Sequence, residues 1–142
     1  MLKKLLNGNI QIIDKVSNWE ESVIVASQPL IEKGDIEPRY VDAMISTIKE
    51  IGPYVVLMPG VAMPHSRPEN GVNRTVFSFL LIKEGVSYSE EKEPVKLVIV
   101  LAAKDSNEHI EALTELSDLL DNEEKVSKIF EAINTEEIEK KI

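Results

Sequence analysis

The chain has 142 residues, 43% of them hydrophobic and only 5% aromatic, enough for one ordinary domain (1–142) with a core built mainly of Ile, Leu and Val. It has no cysteine, which excludes a disulfide framework, a thiolate nucleophile and a cysteine metal site, and fits a reducing cytoplasm. The formal net charge is −9, of which residues 105–142 carry −8 (12 acids against 4 lysines); an acidic chain without a basic patch argues against nucleic acid and anionic membrane surfaces as partners.

Met1 to Leu6 run straight into Asn7-Gly8-Asn9, so no signal peptide is expected, and no apolar run is long enough for membrane insertion. Ile10 to Ile13 read as a first strand. Ser17 or Asn18 caps a helix from Trp19, with Glu20 and Glu21 in the first turn and Trp19, Val23, Ala26, Leu30 and Ile31 on one stripe. Gly34 stops it. Asp35 or Glu37 opens a second helix that buries Tyr40, Val41, Met44, Ile45, Ile48 and Ile51 and ends at Gly52-Pro53.

Tyr54 to Leu57 read as a short strand. From Met58 to Asn73 the density of proline and glycine predicts a loop without regular structure. Thr75 to Ile82 and Val95 to Ala103 are nearly continuous apolar runs, the pattern of strands covered on both faces, and Lys83 to Pro94 between them is turn-like. A long helix starts at Asp105 or Ser106, with Ile110, Leu113, Leu116 and Leu120 inward. Two more follow, around Val126 to Ile133 and from Thr135. The order β-α-α-β-β-β-α-α-α predicts an α/β (α+β) fold, with helices on both faces of a central sheet.

The chemistry concentrates on two histidines. His65 lies in Ala62-Met63-Pro64-His65-Ser66-Arg67-Pro68-Glu69-Asn70-Gly71-Val72, where Pro64 fixes its own φ and Pro68 restricts Arg67 to extended backbone. Such a pinned imidazole suits a proton shuttle, a ligand or a phosphoryl acceptor. Backbone N–H groups of the Ser66–Asn73 turn are candidates to face an anion, with Arg67 or Arg74 supplying charge. A histidine that only bonds loop carbonyls is an equally available reading. His109 follows the strongest strand at a helix start, a place where ligands and anions bind, or where a first-turn histidine simply meets solvent. Zinc would need carboxylates as further ligands, and no local histidine pair exists. No G-x-S-x-G and no phosphate-cradling glycine loop is present.

The His65 segment resembles the active-site loop of enzyme IIA components of the bacterial sugar phosphotransferase system, mannitol–fructose type, ascorbate-like branch. Tyr40-Val41-Asp42-Ala43-Met44-Ile45 resembles the second helix, Gly52-Pro53-Tyr54-Val55-Val56 the strand entering the site, and Leu101-Ala102-Ala103-Lys104-Asp105-Ser106-Asn107-Glu108-His109 the second histidine segment. The resemblance covers nearly the whole chain in order. It implies a three-layer α/β/α sandwich with a mixed sheet, and a cytoplasmic phosphoryl carrier needing no cofactor or metal. His65 would accept the phosphoryl group from the histidine-containing phosphocarrier protein and pass it to a cysteine on the IIB component of a permease for ascorbate or a related sugar. His109 would stabilise it. A regulatory module of the same family, acting on a protein partner, is the alternative. Mannitol-type members carry an arginine in the second helix; that position falls at Thr47 here, so Ser66 and Arg67 become the remaining candidates to steady the phosphoryl group.

Overall fold

In the computed structural model, which describes every residue except Ser106 and Glu108, the chain forms a five-stranded sheet between two helical layers. The elements are α1 (Leu2–Leu6), β1 (Ile10–Ile13), α2 (Trp19–Glu32), α3 (Pro38–Ile51), β2 (Val56–Met58), β3 (Val61–Ala62), a 3-10 turn (Pro68–Asn70), β4 (Val76–Val86), β5 (Val95–Ala102), α4 (Ile110–Asp121), α5 (Glu123–Phe130) and α6 (Thr135–Glu139). The strand order is β1-β4-β5-β3-β2. β1 runs parallel to β4 and β3 parallel to β5, while β4–β5 and β2–β3 are antiparallel, so the sheet is mixed.

Period-2 alternation on the two central strands builds both cores. Val76, Leu80 and Ile82 of β4, with Val98, Val100 and Ala102 of β5, face α2 and α3. Phe77, Phe79 and Leu81, with Leu97, Ile99 and Leu101, face α1 and the C-terminal helices. All twelve side chains are buried, and each aliphatic or aromatic one larger than alanine contributes about 1.5–3 kcal/mol of transfer free energy. Ser78, in the same run, keeps its polarity by donating to the Ala26 carbonyl at 2.7 Å.

Asn18 caps α2 by accepting from the Glu21 amide at 2.9 Å, and Pro38 sits in the first turn of α3 behind Glu37. α1 and β3 are additions to the sequence reading. Five residues at one end and two in a loop are too short to show a period, although Leu2 and Leu6 are buried. The predicted Met58–Asn73 loop is therefore corrected: Val61 and Ala62 pair with Leu97 and Val98, and Pro68–Asn70 make a 3-10 turn. β4 continues to Val86, beyond the expected Ile82, because Lys83 and Glu84 are exposed strand positions whose charges read as a turn. α4 begins at Ile110, not Asp105. Asp105 instead forms an Asx turn, its Oδ1 accepting from the Asn107 amide at 2.8 Å, and such local bonds compete with helix. The alternative start at Ser106 lies outside the described residues.

Candidate active site

Because β3 and β5 are parallel, their C-terminal ends open on one edge of the sheet. His65 lies three residues after β3 ends, and His109 seven after β5 ends. The edge is tied together before either histidine is reached. The Met63 amide donates to Val55 O at 2.8 Å and the Leu101 amide to Pro64 O at 3.2 Å, so the loop continues the pairing on both sides. His65, Ser66, Pro68, Leu101, Ala103, Asp105 and His109 line one shallow cleft of about 260 Å³. The two histidines and Ser66 thus come together. Arg67 is exposed beside that lining, on extended backbone at the start of the 3-10 turn.

The imidazole of His65 has a defined tautomer. Its Nδ1 lies 2.8 Å from the Met63 carbonyl oxygen. A carbonyl only accepts, so Nδ1 carries the proton and Nε2 keeps its lone pair. The Tyr54 ring meets the His65 ring edge-on, with centroids 5.9 Å apart and planes at 82°. His109 repeats the arrangement: Nδ1 is 3.1 Å from Asp105 O.

Tyr40, which periodicity places only in the stripe of α3, turns out to be the joint of the site. Its side chain is fully buried. The hydroxyl donates to Leu101 O at 2.7 Å and accepts from the Ser66 amide at 2.9 Å, joining α3, β5 and the His65 loop. Burial pushes the phenol up to about 12, against the opposing pull of the Ser66 N–H. The available signal was the residue type, since a buried tyrosine hydroxyl usually finds a partner. Asn70 was also missed as a site residue; its Nδ2 donates to Ser66 Oγ at 2.8 Å.

Most of the turn amides expected to face an anion are already bonded. Ser66 N–H is taken by Tyr40, Asn70 N–H by Arg67 O, Gly71 and Val72 N–H by Pro68 O, and Asn73 N–H by Asp35 O. Arg74 is committed to buried Asp35 at 3.6 Å. Arg39 spans Glu69 O and the Glu37 carboxylate. Thr47 turns its hydroxyl back to Ala43 O, one turn earlier in α3. Arg67 makes no ion pair among the described residues. Nor do three or more His, Cys, Asp or Glu gather as a metal cluster among the described residues. No helix among them is long and apolar enough to cross a membrane.

A half-buried, carbonyl-anchored histidine with a free Nε2, sharing its cleft with a second histidine, can move a group onto and off an imidazole nitrogen. Comparison with known proteins gives the same direction. The mannitol-specific cryptic phosphotransferase enzyme IIA component of Escherichia coli (strain K12) is 38% identical over 131 residues, 92% of this chain and 89% of that protein. A solution structure under that description superposes with a TM-score of 0.91 at 34% identity, covering 99% of this chain and 96% of the other. The ascorbate-specific EIIA component of the same strain is 34% identical over 125 residues, 87% of this chain and 81% of the relative. The complex of Escherichia coli mannitol enzyme IIA with phosphorylated enzyme IIB contains a chain matching at TM-score 0.80 and 31% identity, over 94% of this chain and 92% of that one. The family model of the phosphoenolpyruvate-dependent sugar phosphotransferase system, EIIA 2, matches residues 4–142, and the chain belongs to that family of phosphotransferase enzyme IIA components.

Proposed function

We propose that this EIIA component, acting as one carrier domain in the cytoplasm, takes a phosphoryl group on His65 Nε2 from the histidine-containing phosphocarrier protein. It then passes that group to a cysteine of a IIB component, in a system for ascorbate or a related sugar. The observation that carries the reading is the bond between His65 Nδ1 and Met63 O, which leaves the Nε2 lone pair as the nucleophile in a cleft shared with His109. In the first step the Nε2 lone pair forms the new N–P bond while the donor's N–P bond breaks and returns its electron pair to the donor imidazole. In the second, a cysteine sulfur forms the S–P bond and the electron pair returns to Nε2. Such transfers depend on positioning and charge stabilisation, and no cofactor is called for.

His109 presents its Nε2, because Nδ1 is turned to Asp105 O. In the imidazolium form, with Nδ1–H on the Asp105 carbonyl, Nε2–H is a donor to the phosphoryl oxygens. Ser66 adds a hydroxyl, and exposed Arg67 is the cation at the mouth of the cleft that stands in for the arginine missing at Thr47. A modest set of donors suits a relay, which must release what it holds. The IIB partner is supported by the complex formed by the mannitol relative, and the sugar class by the ascorbate-specific relatives.

Intact-mass spectrometry after incubation with phosphoenolpyruvate, enzyme I and the phosphocarrier tests this. Wild type gains one acid-labile phosphoryl group and loses it to a IIB protein, and His65→Ala gains none. Normal uptake by His65→Ala would overturn the assignment.

A further inference from the structure

The phosphoryl group is an acceptor with no proton of its own to give at neutral pH, so the site must supply donors. Most of the loop amides are already bonded, to the Tyr40 hydroxyl and to the Arg67, Pro68 and Asp35 carbonyls, so side chains carry much of that supply. The Ser66 hydroxyl has one proton and two lone pairs. Asn70 occupies a lone pair: its Nδ2, which can only donate, points at Ser66 Oγ from 2.8 Å. The hydroxyl proton is therefore turned away from Asn70. Ser66 lines the cleft with His65, and Asn70 does not, so Asn70 acts from behind.

We propose that Asn70 is a positioning residue that makes the Ser66 hydroxyl a dedicated donor to the phosphoryl group on His65. The inference rests on the carrier reading above. The arrangement is braced. Asn70 N–H is bonded to Arg67 O at 3.0 Å, and Arg39 holds the neighbouring Glu69 carbonyl at 2.8 Å. Tyr40 fixes the Ser66 backbone from the opposite side, by accepting its N–H. Ser66 is thus held at both its amide and its hydroxyl, with one O–H left to offer. A hydroxyl bonded to an anion is a strong, charge-assisted donor whose direction matters.

The test is the hydrolysis rate of the isolated phosphorylated protein, followed by intact mass, with 31P NMR of the phosphohistidine as a second readout. Ser66→Ala hastens hydrolysis about tenfold, the loss of one hydrogen bond to a charged group. Asn70→Ala hastens it less, because the hydroxyl remains but is no longer aimed. Asn70→Asp hastens it more than Asn70→Ala, since a carboxylate only accepts and draws the hydroxyl proton to itself. In a Ser66→Ala background neither Asn70 change adds an effect, whereas Ser66→Thr keeps most of the wild-type lifetime. Asn70 variants that act equally in the Ser66→Ala background would overturn the proposal in favour of added charge or loop disruption, the latter marked by a lowered unfolding midpoint. A charged wild type whose lifetime is unchanged by Ser66→Ala and Asn70→Ala would overturn it alone. A wild type that takes no phosphoryl group overturns the carrier reading as well.

Discussion

His65 and His109 make the same bond, Nδ1 to a main-chain carbonyl, and both reach the same cleft. Their supports differ. His65 sits on a segment stapled through Met63 to Val55, just before β2, through Pro64 to β5 and through Tyr40 to α3. His109 stands at the start of α4, in the N-cap position without a side-chain cap bond, and the next residue, Ile110, is 56% exposed. In the proposed relay the nucleophile must meet two partners in line and gains from being fixed. A stabilising donor can follow a phosphoryl group that arrives and leaves.

The largest expected effect separates the two histidines outright. His65→Ala abolishes phosphoryl uptake. His109→Ala still takes the group but transfers it to IIB roughly tenfold more slowly, as for the loss of one charged hydrogen bond. Single-turnover transfer followed by intact mass resolves the two, and equal, complete loss in both variants would erase the distinction between nucleophile and stabiliser.

Removing one staple is the next largest change. Tyr40→Phe leaves the ring but strands the Ser66 amide and the Leu101 carbonyl without their shared partner. We expect a loss of about 1–3 kcal/mol in denaturant unfolding, together with slower uptake at His65. The pH dependence gives the sign. The Tyr40 phenol is raised from 10.0 to about 12 by burial, so in that window the unfolded chain releases a proton that the folded chain keeps. The stability owed to the phenol is whole below pH 10 and falls as pH rises toward 12. Unfolding midpoints of wild type and Tyr40→Phe should therefore converge between about pH 10 and about pH 12, the window set by these phenol values. A gap that stays constant would show that the hydroxyl does not titrate as placed.

The sequence carried the parts of this site that depend on residue type and order. Two prolines around His65, the apolar runs of β4 and β5, and the stripes of α2 and α3 are written in local pattern. The staples are not. Whether the Tyr40 hydroxyl meets Ser66 or solvent depends on where α3 packs, and Val61 and Ala62 become a strand only because β5 offers an unpaired edge. For the same reason the Asn70, Gly71, Val72 and Asn73 amides, read from proline and glycine content as part of an anion nest, are spent on Arg67, Pro68 and Asp35 carbonyls once the loop closes.

The smallest prediction sharpens the contrast at the looser histidine. Asn18, Asn122 and Asn134 each cap their helices by accepting an amide three residues on, while His109 leaves that acceptor position empty at α4. His109→Asn restores a capping side chain. The His109 backbone has αR dihedrals rather than the extended ones a cap prefers, so the gain should be only about 0.5 kcal/mol. Unfolding in denaturant should show this small stabilisation, and phosphoryl transfer to IIB should fall as far as in His109→Ala. Stability and activity would then move in opposite directions at one residue, the mark of a position kept for its chemistry. If His109→Asn instead loses stability, the imidazole is itself part of what holds α4 to the sheet edge, and the difference between the two supports is narrower than their hydrogen bonds indicate.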